Sequence, residues 1–202
     1  MRPSLFLMTL LSGAVAPLTA QQSSADEYTR YELLSPETAK FRILYDVTAT
    51  TPGARYFFNP IRKGSEATDE AVTDPVTGAP LRFTEVDGAT ARAQGLSRAD
   101  LETRYIRVEL PRPVPQGGEV RIRIDKTYRD PKSYYTEGGE IVFDRSLGIK
   151  RNAIVLPPDY ELVSCNVPSQ VLTDAQGRIV VSFINPGAGA APLVIRARRL
   201  TR

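Results

Sequence analysis

The side chains best equipped for chemistry lie between positions 128 and 151, with a second group at 196–202. Tyr128, Tyr134 and Tyr135 flank the turn Asp130-Pro-Lys-Ser133. Aromatic rings beside polar side chains can hold a sugar ring or a peptide, because a ring face offers apolar area at low conformational cost. The competing reading makes one tyrosine a plug for the core and the others a shield for a hairpin. Asp130, Glu137, Glu140 and Asp144 supply carboxylates that could bind Ca²⁺ or serve as an acid/base pair. Their spacing is not that of a calcium loop, and solvated strand edges carry such charges to block edge pairing. Arg145, Lys150 and Arg151 form one basic group; Arg196, Arg198, Arg199 and Arg202 form another. Brought together by a sheet, they would make an anion patch for a phosphate-bearing glycolipid, an acidic partner or a nucleic acid backbone. Left apart, they are a solvated strand face and a loose tail.

What is missing narrows the chemistry further. The 202 residues contain no histidine and a single cysteine, Cys165. Zincin helices need two histidines on one face, and Ser or Cys triads need an imidazole to take the nucleophile's proton. Neither mechanism is available to this sequence, and a structural zinc site is ruled out with them. No catalytic residue, metal site or cofactor is therefore expected. Cys165 can form no intramolecular disulfide; flanked by Val163 and Val167, it reads as a buried packing residue.

The elements that must position these groups are strands. Short apolar runs at 141–143, 153–156 and 179–181 are divided by Gly138-Gly139, Pro157-Pro158-Asp159 and Asp174-Ala-Gln-Gly177. Such runs, rich in Val, Ile, Tyr and Phe and punctuated by Gly, Pro and Asp, are antiparallel strands. Upstream, Phe41, Ile43, Tyr45 and Val47 alternate on one face, and so do Ile106, Val108 and Leu110, then Val120, Ile122 and Ile124. The short connection 111–118 predicts that these last two strands are hairpin neighbours. Residues 59–80 read as a long loop or a pair of short edge elements. Helical character is confined to 89–101, where Ser97 is a candidate cap and Gly95 an interruption. The expected architecture is all-β: an antiparallel β-sandwich with at most one short helix, a single domain over 28–202 with one candidate sub-boundary near 111–118.

The chain opens with Met1-Arg2, an apolar run at 5–11 and the small-residue stretch Pro17-Leu-Thr-Ala20. This is the pattern of a secretory signal peptide over 1–20, with cleavage before Gln21 and a disordered leader at 21–27. The run is well short of the ~20 residues of a membrane-spanning helix, and no second apolar segment follows in the mature chain. The expected location is the periplasm or the extracellular space. The formal net charge of +3 becomes +2 once Arg2 is removed, and no aromatics interleave with the arginines. No nucleic acid partner is expected.

One likeness rests on three segments. YELLSPETAKFRILYDVTATTPG near the start, a strand-rich middle, and IKRNAIVLPPDYEL followed by GRIVVSFINP resemble the N-terminal β-domain that precedes the zinc peptidase domain of M1-type aminopeptidases. That domain is close in length to the mature chain. The GxMEN and HExxH motifs of the family are absent, so the resemblance implies a fold and carries no catalytic residue over. The reading is a non-enzymatic binding or accessory module of the cell envelope, with a protein or glycan partner. Two alternatives stand beside it: a carboxylate-based hydrolase of glycan or cell-wall substrates, and a structural envelope protein that assembles through its sheet edges.

Overall fold

The computed structural model describes residues 26–201; the expected signal peptide over 1–20 and most of the expected leader at 21–27 lie outside the described residues, as does Arg202. Among the described residues strands dominate, with one six-residue α-helix, so the fold is all-β as its alternation predicts. The largest sheet has seven strands. Its centre is β1 (Tyr28–Leu33), β2 (Lys40–Ala49) and β7 (Val120–Arg129), and its edge beyond β7 is β4 (Glu66–Thr73). On the other side of β1 lie β10 (Arg151–Val155), β13 (Ile179–Ile184) and the edge strand β12 (Gln170–Thr173). The β1–β10 pair is parallel and the other pairs of this sheet are antiparallel.

Two smaller sheets cover its inner face. One runs β11 (Tyr160–Cys165), β14 (Ala191–Arg199), β9 (Glu140–Leu147), β8 (Tyr134–Glu137); the other runs β3 (Tyr56–Pro60), β6 (Tyr105–Glu109), β5 (Phe83–Val86). One continuous core joins all three. Phe41, Ile43, Ile122 and Ile124 from the large sheet meet Ile141, Phe143, Leu193 and Ile195 from the first small sheet and Ile106 and Val108 from the second. Period-two alternation on β2 and β7 puts every second side chain into this layer and leaves the others wet. On the wet face, cross-strand neighbours pair by charge: Arg42 with Asp125, and Arg123 with Asp46 at 2.6 Å. The Gly138-Gly139 turn joins β8 to β9 with both residues at positive φ, the geometry whose twist matches a two-residue hairpin.

Three expectations are corrected. Strands β6 and β7 are not hairpin neighbours; they belong to different sheets. The proline-rich 111–118 segment cannot supply the donors of a continued ladder, and it is pinned elsewhere. Val114 is buried, donates its N–H to Ala54 and accepts from the Gly53 N–H. Within 59–80, β4 is a full eight-residue edge strand. Its apolar alternation is weak because its register breaks between Thr68 and Ala71, with Asp69 at φ +55. The helix, α1 (Gly88–Ala93), is shorter and earlier than 89–101. Asp87, not Ser97, caps it by accepting the Thr90 N–H at 2.7 Å, and Gly95 at φ +113 follows its end.

Candidate functional site

The alternation of β7 runs one step past its apolar residues. Val120, Ile122 and Ile124 face the core, and so therefore do Lys126 and Tyr128. A positive charge is thereby carried between the sheets. Lys126 is 4% exposed; its ammonium donates to Asn59 Oδ1 on β3 and to the Tyr128 hydroxyl at 3.1 Å. Burial, reinforced by the nearby charge of Arg145, pushes its pKa down to about 7, with Glu70 opposing. The chain has no histidine, and this amine supplies a charge change near neutral pH in its place.

A second charged group lies beside it. At the end of β7 the chain turns through Asp130, which is 5% exposed, and β9 brings in Arg145, which is 7% exposed. Arg145 Nη1 donates to Asp130 Oδ2 at 2.9 Å. The same carboxylate accepts the Ser133 hydroxyl at 2.8 Å, the Ser65 hydroxyl at 3.2 Å and the Ser133 N–H at 3.2 Å. Burial alone would raise Asp130; the Ser133 hydroxyl, the Arg145 charge and the other donors outweigh it and hold the pKa below the ordinary aspartate value. The guanidinium carbon sits 5.3 Å from the Phe41 ring centre and 5.5 Å from that of Tyr128. Phe41 in turn meets Phe143 edge-on at 5.3 Å. The pair is thus closed in by rings and hydroxyls, a locked ion pair rather than an acid or base.

The expectation that Asp130 sits at a solvated strand end is overturned. The tight turn Asp130-Pro-Lys-Ser133 folds the carboxylate back onto its own backbone, where Lys132 and Ser133 N–H groups bind it. The other candidate carboxylates stay outside. Glu137 and Glu140 face each other across the β8–β9 hairpin and share Arg196, at 2.5 and 3.5 Å, while Asp144 is exposed.

The tyrosines do not form one platform. Tyr128 and Tyr134 are core residues, the latter donating to the Leu34 carbonyl at 2.8 Å. Burial raises both phenols, Tyr128 to about 12. Tyr135 lies on the opposite face, in a row with Val142 and Arg196 across β8, β9 and β14. The basic groups do not converge either. Arg145 is inside the core. Lys150 donates to the Gly187 carbonyl at 2.7 Å and Arg151 to that of Asp26. Arg196 and Arg198 are spent on Glu137, Glu140 and Glu161, and Arg199 is exposed next to Tyr160. Lys150 lies near the Ala191 end of β14, whereas Arg198 lies at the far end, roughly 20 Å along the strand. Cys165 is half-buried at the end of β11 rather than fully enclosed.

Sequence reasoning passed over Lys126. The signal was present: a lysine at the parity of Val120, Ile122 and Ile124, two residues before a tyrosine, is a charge on the wet-to-dry side of a strand.

No family model matches the sequence, and no curated protein matches it. The fold has solved counterparts. An aminopeptidase N family protein from Idiomarina loihiensis superposes with a TM-score of 0.51 at 8% identity, over 85% of this chain and 29% of that one. An M1 zinc metallopeptidase from Deinococcus radiodurans superposes with a TM-score of 0.51 at 11% identity, over 85% of this chain and 41% of that one. This chain therefore spans less than half the length of either. At such identities the likeness is one of fold, and it agrees with the rhythm of the three quoted segments: the fold of this chain is similar to that of the N-terminal β-domain of M1-type aminopeptidases.

Proposed function

We propose that this chain is a non-enzymatic binding or accessory module of the cell envelope, exported to the periplasm or beyond, acting on a protein or glycan partner. The observation that carries this reading is the state of its carboxylates. Hydrolysis by Asp or Glu needs two carboxyl groups facing one substrate, one of them kept protonated by a dry site. Here the buried candidate, Asp130, is held ionised by Arg145, Ser133 and Ser65, and Glu137 and Glu140 are paired at the surface with Arg196. The solved counterparts support an accessory role: there the same fold accounts for a minor share of a longer peptidase chain. Export rests on the N-terminal sequence pattern.

The test combines two measurements on the mature protein. Purified chain is expected to hydrolyse no peptide, ester or glycan substrate, with or without added Zn²⁺. Crosslinking in the cell, followed by identification of what is captured, is expected to recover a recurrent envelope partner. Turnover that disappears on replacing Glu137, Glu140 or Asp144 would overturn the reading in favour of a hydrolase.

A further inference from the structure

A sheet edge presents a row of unpaired N–H and C=O groups, and folded proteins blunt such edges with charges, prolines, bulges or covering elements. The three sheets here end in six edge strands. Five are blunted. β4 carries Glu66, Asp69 and Glu70 together with its register break. β11 has a break between Leu162 and Ser164 and carries Glu161. β8 ends in Glu137, β3 ends in Pro60, and β5 carries Glu85, which pairs with Arg104. The sixth is different. β12 reads Gln170-Val171-Leu172-Thr173, with no charge, proline or register break, and all four residues are exposed.

The surroundings of this edge are apolar as well. Val171 lies in register with Val181 on the core side of the sheet and Leu172 with Val180 on the outer side. Val180 belongs to a small outer-face cluster with Ala153, Val155 and Tyr28. β13 continues past the last pair with β12, and its final residue, Ile184, is 71% exposed. At that end opens a groove of about 560 Å³, lined by Tyr28, Pro168, Gln170, Phe183 and Ile184. Its charged lining residue, Arg151, donates to the Asp26 carbonyl.

We propose that the edge of β12, unpaired among the described residues, is a docking site for an extended, uncharged segment of a partner protein with alternating apolar side chains, which adds as a strand to the seven-stranded sheet and seats a side chain in the adjoining groove. This deepens the binding-module reading and rests on it. Backbone pairing supplies the generic attraction, and Val171, Leu172 and the groove select the side chains. A charged segment is disfavoured because β12 itself carries no charge to compensate its desolvation. A second copy of the chain is the weaker occupant on area. A stable symmetric dimer needs roughly 800 Å² from each partner, more than a self-paired edge four residues long supplies, and a flat edge would leave the groove unfilled.

The experiment is an amide NMR titration of the mature protein with a capped, uncharged peptide of alternating Val and Thr bearing a Ser at each end. A second peptide with Glu in place of Val is the control. Saturable shifts confined to β12 and the Ile184 end of β13 are expected with the first peptide and none with the second. Leu172→Lys is expected to weaken binding by about tenfold or more, because a lysine on the edge is the natural block to pairing. Ile184→Lys tests the groove separately; both sites are exposed, so an unchanged amide spectrum elsewhere confirms an intact fold. No saturation, shifts mapping to another face, or full affinity in Leu172→Lys would overturn the proposal. A concentration-dependent dimer that Leu172→Lys dissolves would overturn the choice of occupant and assign the edge to a second copy. Hydrolysis by the purified chain would remove the accessory reading while leaving the titration result standing, so the two failures are distinguishable.

Discussion

Lys126 titrates near 7 because burial penalises its charged form and Arg145 adds a second positive charge close by. In the unfolded chain the same amine titrates near its ordinary 10.5. Between about 7 and 10.5 the unfolded state thus binds more protons, and the fold gains stability as pH rises through that window. Below 7 both states are protonated and the full penalty remains, on the order of 3–5 kcal/mol. Lys126→Met removes the penalty and leaves Asn59 and Tyr128 without their donor, a loss of roughly 1–2 kcal/mol. The variant is expected to melt higher than wild type at pH 6 and slightly lower near pH 10, where wild type has shed most of its penalty and the lost donor remains; equal destabilisation at both pH values would show that the amine is not a buried charge. Asp130 and Arg145 behave in the opposite sense, because each satisfies the other. Asp130→Ala is expected to cost about 3–5 kcal/mol in chemical denaturation by stranding Arg145 among Phe41 and Tyr128. Adding Arg145→Met should restore a large part of that, and a double variant no more stable than the single would place the cost in the Ser133 turn instead.

At the scale of elements, the strands were legible where alternation is strong and silent where it is not. β2 and β7 announce themselves because one face of each is packed, so every second residue is apolar, and β9 and β13 announce themselves by contiguous apolar runs bounded by turn residues. β4 is an edge strand with few buried side chains, and its sequence looks like a loop. The helix is positioned by a contact that local sequence does not display. Gly88 opens α1 against the backbone of Asp100 and Leu101, and a Cβ there would lie 2.1 Å from the Asp100 carbonyl oxygen. Backbone cannot step aside as a flexible side chain can. Gly88→Ala is therefore expected to destabilise by about 1–3 kcal/mol and to loosen the α1–β6 packing around Ala91, Ala99 and Tyr105. A melting temperature within a degree of wild type, read by circular dichroism, would mean that the 100–101 turn yields freely.

For the molecule as a whole, the proposed export predicts that the secreted protein begins at Gln21, since Ala20 is the small residue a signal peptidase needs after the apolar run. N-terminal sequencing of the exported fraction checks this, and an intact Met1 in the membrane fraction would reverse it. The amino-acid order alone determined the all-β class, the turn at Gly138-Gly139, the absence of imidazole chemistry and the likeness to a peptidase β-domain. Each depends on composition or on contacts between near neighbours, which a linear pattern records directly. Tertiary structure alone decided that β6 and β7 part company, that Asp130 and Arg145 meet inside the core, and that Tyr128 and Tyr135 face opposite ways. It also decided that β12 is an edge strand with no charge, proline or register break among the described residues. Which strand pairs with which is a contest among many similar apolar runs, settled by the global packing of three sheets. A charge at an inward parity becomes a buried pair only when another sheet delivers its partner, and for Asp130 that partner arrives from β9, 15 residues along the chain.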